Sequence, residues 1–184
     1  AVVDFAGFEE YHAGRRLVDK IRTRLEPHDS LKVVDLSRYT GILKKGALTP
    51  MESIELAHSI GADVVVTGTV SQYEIDRFAG LRVPYIFELP ETQVEVGLRY
   101  RVMWFSSAAR TNMEAISEQI VGKSRIRKRV RLLPADNRDI TVSRSAAELA
   151  RVHDSALDDV VSNLLASMSQ TFSWFPPDFA YAGF

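Results

Sequence analysis

The spacing of hydrophobic residues switches between strand and helix patterns along the first third of the chain. Residues 1–5 have the composition of a strand. After Gly7, apolar or small residues recur at spacings of three and four, which predicts an amphipathic helix that ends at Pro27. These positions are Tyr11, Gly14, Val18, Ile21 and Leu25. A second short strand is predicted at residues 31–36, followed by a short helix at residues 37–45.

A specific helix-start pattern precedes the most apolar strand of the chain. Residues 49–52 are Thr-Pro-Met-Glu, which combines a cap residue, a proline at the first helical position and a glutamate three residues after the cap. This helix is predicted to end near Ile60, and Gly61 leads into a valine-rich strand, with a change of pattern after Tyr73. Four of the five residues 62–66 are apolar, which predicts a central strand covered on both faces. The alternation of strands and helices predicts an α/β fold.

A period of two dominates the middle of the chain. Residues 93–107 place apolar side chains on one face, at Val94, Val96, Leu98, Tyr100, Val102 and Trp104. Residues 112–133 are predicted to form the partner strand, with a break near Gly122, so the two segments make a long antiparallel hairpin in a mixed sheet.

The C-terminal part of the chain combines a helix with an aromatic tail. A second capping box at residues 145–148 opens a long amphipathic helix, whose apolar positions are Leu149, Val152, Ala156, Val160, Leu164 and Met168. We therefore predict one α/β domain over residues 1–171, in which helices pack on a mixed sheet. An aromatic tail over residues 172–184 follows it.

Composition excludes several classes of protein. The 184 residues are 46% hydrophobic and 26% charged with a net charge of -1, which is typical of a globular protein and gives no overall attraction to nucleic acid or anionic membrane. No apolar run approaches the roughly 20 residues of a spanning helix. The chain has no cysteine, which excludes disulfides, thiolate metal sites and a cysteine nucleophile.

The chain begins at Ala1 without an initiator methionine, and a strand is predicted to start at once. We therefore expect that an upstream segment, such as a signal peptide, has been removed.

Three local sequences carry a resemblance to a known family. They are Val2-Val3-Asp4-Phe5, Val33-Val34-Asp35-Leu36-Ser37-Arg38 and Gly61-Ala62-Asp63-Val64-Val65-Val66-Thr67-Gly68-Thr69-Val70. With the long hairpin and the final helix, they resemble the α/β domain of the CsgG-like curli-channel lipoproteins and of the amino-terminal domain of TolB. Flagellar-ring, polysaccharide-export and peptidoglycan-synthase-activator lipoproteins share this domain, which is also similar to anticodon-binding domains.

The resemblance implies a role in the bacterial envelope. Members of this group assemble into rings or bind other envelope proteins, commonly with a lipid anchor on the outer membrane. It implies a periplasmic, non-enzymatic scaffold or assembly protein that forms homo-oligomers and binds a secretion, export or flagellar machine, without a cofactor or small-molecule substrate. The chain contains no lipoprotein cysteine, so membrane association is expected only through an anchor that has been removed.

Alternating basic residues form the strongest charge pattern in the sequence. In a strand, Lys123, Arg125, Arg127, Arg129 and Arg131 would project from one face. Acids on a neighbouring strand, such as Glu91 or Glu95, would neutralise this basic ladder internally, or the ladder would contact a protein partner, another subunit, nucleic acid or glycan. A nucleic-acid-binding module is therefore the alternative function, although the near-neutral charge of the chain weighs against it.

Residues 77–91 are predicted to form a loop that is unusually apolar. Phe78, Leu81, Tyr85 and Phe87 are its candidate partner contacts. The alternatives are a loop that covers the core and a loop that contacts a partner protein.

The tail is too aromatic for an unstructured segment, so it is expected to dock. Trp174 and Phe175 are the preferred anchors. They would dock on their own domain or on a neighbouring subunit, since interfaces favour aromatic anchors.

The sequence gives little support for an enzyme. Asp154 and Asp158 share a helix face, but His153 lies about 100° away from them, so we expect a solvated helix face and no metal site. The remaining histidines do not belong to a nucleophile, zinc-hydrolase or phosphate-loop motif. We predict a protein without catalytic, cofactor or metal sites.

Overall fold

Long antiparallel strands form the sheet of this protein. The computed structural model describes residues 12–34, 48–83, 87–105, 113–127, 131–132 and 146–181. Its strands are β1 (Val64–Val83), β2 (Phe87–Phe105), β3 (Met113–Arg127) and β4 (Arg131–Leu132). β2 lies between β1 and β3, and β4 pairs with β2 beyond the end of β3. The predicted long hairpin is confirmed as the pairing of β2 with β3.

Three α-helices pack on this sheet. They are α1 (Ala13–Leu25), α2 (Pro50–Ile60) and α3 (Ala146–Thr171), and a 3₁₀ turn at Pro177–Tyr181 follows α3. None of the helices in the described part of the chain is both long and apolar enough to cross a membrane. The single-domain α/β fold is confirmed, and each strand pairing among the described residues is antiparallel.

The predicted capping box fixes the start of α2. The Thr49 hydroxyl accepts a hydrogen bond from the Glu52 backbone N–H at 3.3 Å, and the Glu52 carboxylate accepts one from the Thr49 N–H at 2.9 Å. At the other end, Gly61 adopts a left-handed conformation with φ 68°. Glycine meets this requirement without strain, so the chain turns directly from α2 into β1.

Two apolar cores lie on opposite faces of the sheet. The larger core lies between the sheet and helices α1 and α3, and its fully buried side chains include Leu17, Ile21, Val96, Leu98, Leu157 and Leu164. On the opposite face, α2 packs Leu56 and Ala57 against Val65 and Met103. Because Val65 and its neighbour Val66 are buried in different cores, the prediction of a strand covered on both faces is confirmed.

The described residues show the strand neighbours of β1 on one side. Among the described residues, β1 pairs only with β2, which has neighbours on both sides. Leu31 and Val33 contact the larger core, but residues 31–34 form an irregular segment where a strand was predicted. The strand predicted at residues 1–5, the helix predicted at 37–45 and the cap at Ser145 lie outside the described residues.

The prediction of an apolar loop at residues 77–91 is wrong. β1 continues to Val83 and β2 begins at Phe87, so Phe78, Leu81 and Phe87 lie in paired strands. Two prolines and a glycine obscured the strand pattern, because each normally disfavours a regular strand. Gly80 lies at the register shift between Ala79 and Leu81, and Pro90 is opposite Ala79 beside the same shift. Tyr85 lies outside the described residues.

Helix α3 seals the outer edge of β3. The Asp159 carboxylate accepts a hydrogen bond from the Lys123 backbone N–H at 2.8 Å, and the Asn163 amide donates to the Val121 carbonyl at 3.1 Å. These two helical residues lie one turn apart. They give hydrogen-bond partners to two backbone groups of β3 that point away from β2. Covering an edge in this way protects it from pairing with another chain.

A row of polar contacts aligns α1 with α3. Arg16 binds Asp154 at 2.7 Å, Lys20 binds Asp158 at 2.8 Å, and Arg24 donates to the Ser162 hydroxyl at 2.6 Å. Each step is four residues along both helices, so α1 and α3 run parallel. The side chains are partly exposed, so each ion pair stabilises the fold by only about 0–1 kcal/mol, but together they fix the register of the helices.

Gly122 permits the close approach of α3, and its replacement tests that contact. A Cβ atom on Gly122 would lie 2.5 Å from both the Val160 Cγ2 and the Val160 backbone nitrogen, and 2.7 Å from the Ala156 carbonyl oxygen. We expect Gly122→Ala to lower the free energy of unfolding by about 1–3 kcal/mol, because backbone atoms of α3 must shift. Denaturant unfolding measures this change.

Gly97→Ala is the matched control for that experiment. The nearest atoms to a Cβ on Gly97 are the Gln72 Cβ at 3.0 Å and the Ser71 Oγ at 3.3 Å, so we expect a smaller loss. Equal losses in the two variants would contradict the tight helix contact at Gly122.

Candidate functional site

The aromatic tail docks on its own domain. Phe172, Phe175 and Phe179 are buried members of the larger core. The expected alternative of docking on the same chain is therefore confirmed for these residues. Phe175 was predicted from the sequence as an anchor for a partner. It is only 4% exposed, because its side chain is buried in the core of its own chain.

A continuous chain of aromatic rings connects the tail to the sheet. The rings of Trp104 and Phe172 meet edge to face with their centroids 4.9 Å apart. Phe172 stacks on Trp174 at 5.1 Å, and Trp174 meets Phe175 edge-on at 5.8 Å. These distances and angles are those of favourable aromatic pairs, so Trp174 is held in place although it is 39% exposed.

An open, mainly apolar cavity of about 520 Å³ lies beside these rings. We call it the aromatic groove. Its walls come from the segment after α1, the start of β1, the end of β2 and the tail, and include Leu31, Val33, Val64, Trp104, Trp174 and Phe175. Lys32 and Asp63 add polar groups to the lining. The arrangement can accept apolar side chains while Trp174 provides an exposed aromatic surface.

The sequence pointed to Trp174 but not to the groove. Trp104 was predicted on the apolar face of the hairpin, and residues 31–34 were predicted as a strand. The groove forms only because the fold brings together segments that are between about 30 and 140 residues apart in sequence. The one signal for the groove in the sequence was the position of Trp104 at the end of the alternating run in β2. Its side chain is only partly buried there.

The basic ladder is neutralised within the protein at the two positions whose side chains are described. Lys123 Nζ lies 2.9 Å from the Glu95 carboxylate. Arg125 donates from Nε to the Gln93 side-chain oxygen at 2.8 Å and lies 3.8 Å from the Glu91 carboxylate. Acids on the neighbouring strand were one predicted explanation, which is confirmed for this part of the ladder.

The rest of the ladder is known by backbone position only. Arg127 is opposite Glu91 on β2, and Arg131 is opposite Glu88. Arg129 lies outside the described residues. The register therefore continues to place acids opposite bases.

His153 is a core residue and does not lie on a solvated helix face as predicted. Its Nδ1 atom is 2.9 Å from the Tyr73 hydroxyl, and the two rings meet edge to face. Burial and the nearby Arg16 guanidinium lower the pKa of His153, because both disfavour the imidazolium. No group of three or more histidines or carboxylates is arranged to hold a metal ion within the described ranges.

Tyr100 is a second buried polar group between the sheet and α3. Its hydroxyl donates to the Glu118 carboxylate at 2.7 Å and forms a 2.8 Å hydrogen bond with Ser167. Desolvation is the largest cause that raises the pKa of Tyr100 to about 12. The hydroxyl therefore stays protonated at neutral pH and serves as a structural hydrogen-bond donor.

Comparison with known proteins adds no relationship: neither a protein-family model nor a curated protein matches this chain.

The lowered pKa of His153 predicts a loss of stability in acid. Below about pH 6.5, the unfolded chain binds a proton at this histidine more readily than the folded chain does. The histidine therefore contributes stability above that pH, and the contribution is lost as the pH falls. We expect His153→Gln to show a weaker pH dependence of the free energy of unfolding between pH 7.5 and 5.5, relative to its own value at pH 7.5.

His58→Gln is the control, because His58 is exposed on α2. This variant is expected to keep the pH dependence of the parent protein. A parent protein that is equally stable across this range would contradict the assignment of His153 as a neutral core residue.

Proposed function

We propose that this protein is a non-enzymatic scaffold or assembly protein of the bacterial periplasm, which binds partner proteins and copies of itself. The observation that carries the proposal is the aromatic groove, with a fixed but exposed tryptophan at its side. Large exposed aromatic residues beside apolar grooves are typical of protein interfaces.

The surface of the groove suits an apolar segment of a partner protein. Trp174 and Met51 are the large hydrophobic side chains that are exposed among the described residues. Met51 lies on α2, whereas Trp174 borders the groove. An inserted apolar side chain would gain contact with Trp104 and Trp174 and would exclude water from both rings.

The scaffold would act through geometry. Ring contacts hold Trp174 against Phe172 and Phe175, so a partner would meet a preorganised surface and little side-chain freedom would be lost on binding. The resemblance to envelope lipoproteins supports the periplasm as the compartment and an outer-membrane secretion, export or flagellar machine as the partner.

The nucleic-acid alternative receives less support. Lys123 and Arg125 already contact acidic or amide side chains of β2. A phosphate backbone would have to compete with these internal contacts and would also be repelled by Glu91 and Glu95.

Photo-crosslinking from position 174 tests the proposal. The change is Trp174→benzoylphenylalanine, made in the full chain and in the cells that produce it. We expect crosslinks to defined envelope proteins, identified by mass spectrometry, because the groove should hold a partner segment against this ring.

The control is Met51→benzoylphenylalanine, because Met51 is 66% exposed and lies outside the groove. It should lack the products formed from position 174. Identical products from both positions, or none from position 174, would contradict the groove as a protein-binding site.

A further inference from the structure

One face of the sheet carries charged residues, four of which form no ion pair within the described ranges. We call it the open face. It is the side of β1, β2 and β3 that points away from α1 and α3, between the region covered by α2 and the paired ends of β1 and β2 near Val83 and Phe87. Its described charged residues are Glu74, Asp76, Glu91, Glu95, Arg99, Arg101, Lys123 and Arg125.

A basic patch on this face consists of Arg99 and Arg101. Arg99 is exposed and Arg101 is half-buried. The two residues are two positions apart on β2, so their side chains emerge on the same face about 7 Å apart. No carboxylate in the described part of the chain forms an ion pair with either guanidinium. Their strand neighbours are the uncharged residues Thr67, Thr69, Ser117 and Gln119.

An acidic patch lies on the other side of Gly97 on the same face. Glu74 and Asp76 are both exposed on β1, and no ion pair to either carboxylate occurs within the described ranges. Glu74 is directly opposite Glu95 on β2, so like charges are adjacent. Lys123 Nζ lies 2.9 Å from Glu95, but no ion pair within the described ranges reaches Glu74, so a further cation beside Glu74 would relieve the repulsion.

The two patches are arranged for self-complementarity. Glu95 and Arg99 lie two residues on either side of Gly97, which has no side chain and is buried beneath its neighbours. Consider two copies with their open faces together and a two-fold axis between them that runs perpendicular to the strands at Gly97. This axis would place Arg99 of each copy opposite Glu95 of the other. The same operation brings Arg101 toward Asp76 and places no like charges directly opposite each other.

We propose that the open face binds the open face of a second copy of this chain, with Arg99 and Arg101 of each copy paired with Glu74 and Asp76 of the other. This interface would be isologous, since each copy contributes the same surface. A nucleic acid or other polyanion fits less well, because it would be repelled by the acidic patch. The inference rests on the proposed assembly role and names the surface for self-association.

Reciprocal charge reversal tests this interface. In one variant, Arg99→Glu and Arg101→Glu make the basic patch acidic; in the other, Glu74→Lys and Asp76→Lys make the acidic patch basic. Either variant alone would place like charges opposite each other in both halves of the dimer. A mixture of the two would restore opposite charges in both halves.

Sedimentation velocity measures the outcome. We expect the parent protein to form dimers that weaken as salt rises, since exposed charge pairs are screened. Each variant alone should show a dissociation constant at least about tenfold higher, and the equimolar mixture should recover dimers that contain one copy of each. A monomeric parent protein, two variants that both dimerise like the parent, or a mixture that stays monomeric would overturn the inference.

A matched variant controls for net charge and folding. Arg15→Glu with Arg151→Glu makes the same change in charge at exposed positions of α1 and α3. It should dimerise like the parent, and loss of dimers in this control would also overturn the specific pairing. Thermal unfolding of each variant verifies that it is folded. If the charge-reversal experiment rules out this interface but crosslinks from position 174 persist, the proposed function of the groove still stands.

Discussion

The close contact between α3 and the outer edge of β3 is the constraint on which the rest of the structure depends. The helix backbone comes so near to Gly122 that a Cβ atom there would collide with Val160. Asp159 and Asn163 then bind the outward backbone groups of β3. A glycine at the contact and two polar residues one turn apart therefore convert an exposed strand edge into a helix-covered one.

This contact also determines which surfaces remain for partners. With α3 fixed on β3, its charged face aligns α1 through Asp154 and Asp158, and its C-terminal end delivers the tail to Trp104. The aromatic groove forms at that end. Because both helices occupy one side of the sheet, the opposite side carries the polar residues of β2 beyond the region covered by α2, with Arg99 exposed. The fold thus separates an apolar surface from a charged one.

Local patterns in the sequence predicted the elements well, but not the contacts between distant segments. The capping box of α2 and the alternation along β2 are local signals, and both were confirmed. The burial of His153 could not be inferred from its helix alone, because it depends on Tyr73 in β1. Pro90 and Gly80 disguised the continued pairing of β1 with β2 in the segment predicted as a loop. The groove and the unmatched arginines require knowledge of strand register and tail docking, neither of which has a local signature.

Amide hydrogen exchange at Lys123 tests the central claim most directly. The Lys123 N–H points away from β2 and is bonded by Asp159, so slow exchange is predicted in the native protein, with fast exchange in Asp159→Ala. The Val96 amide, in the buried central strand, should stay protected in both proteins. Exchange at Lys123 as fast as in an unfolded chain, or protection that survives the loss of the Asp159 carboxylate, would contradict the sealing of β3 by α3.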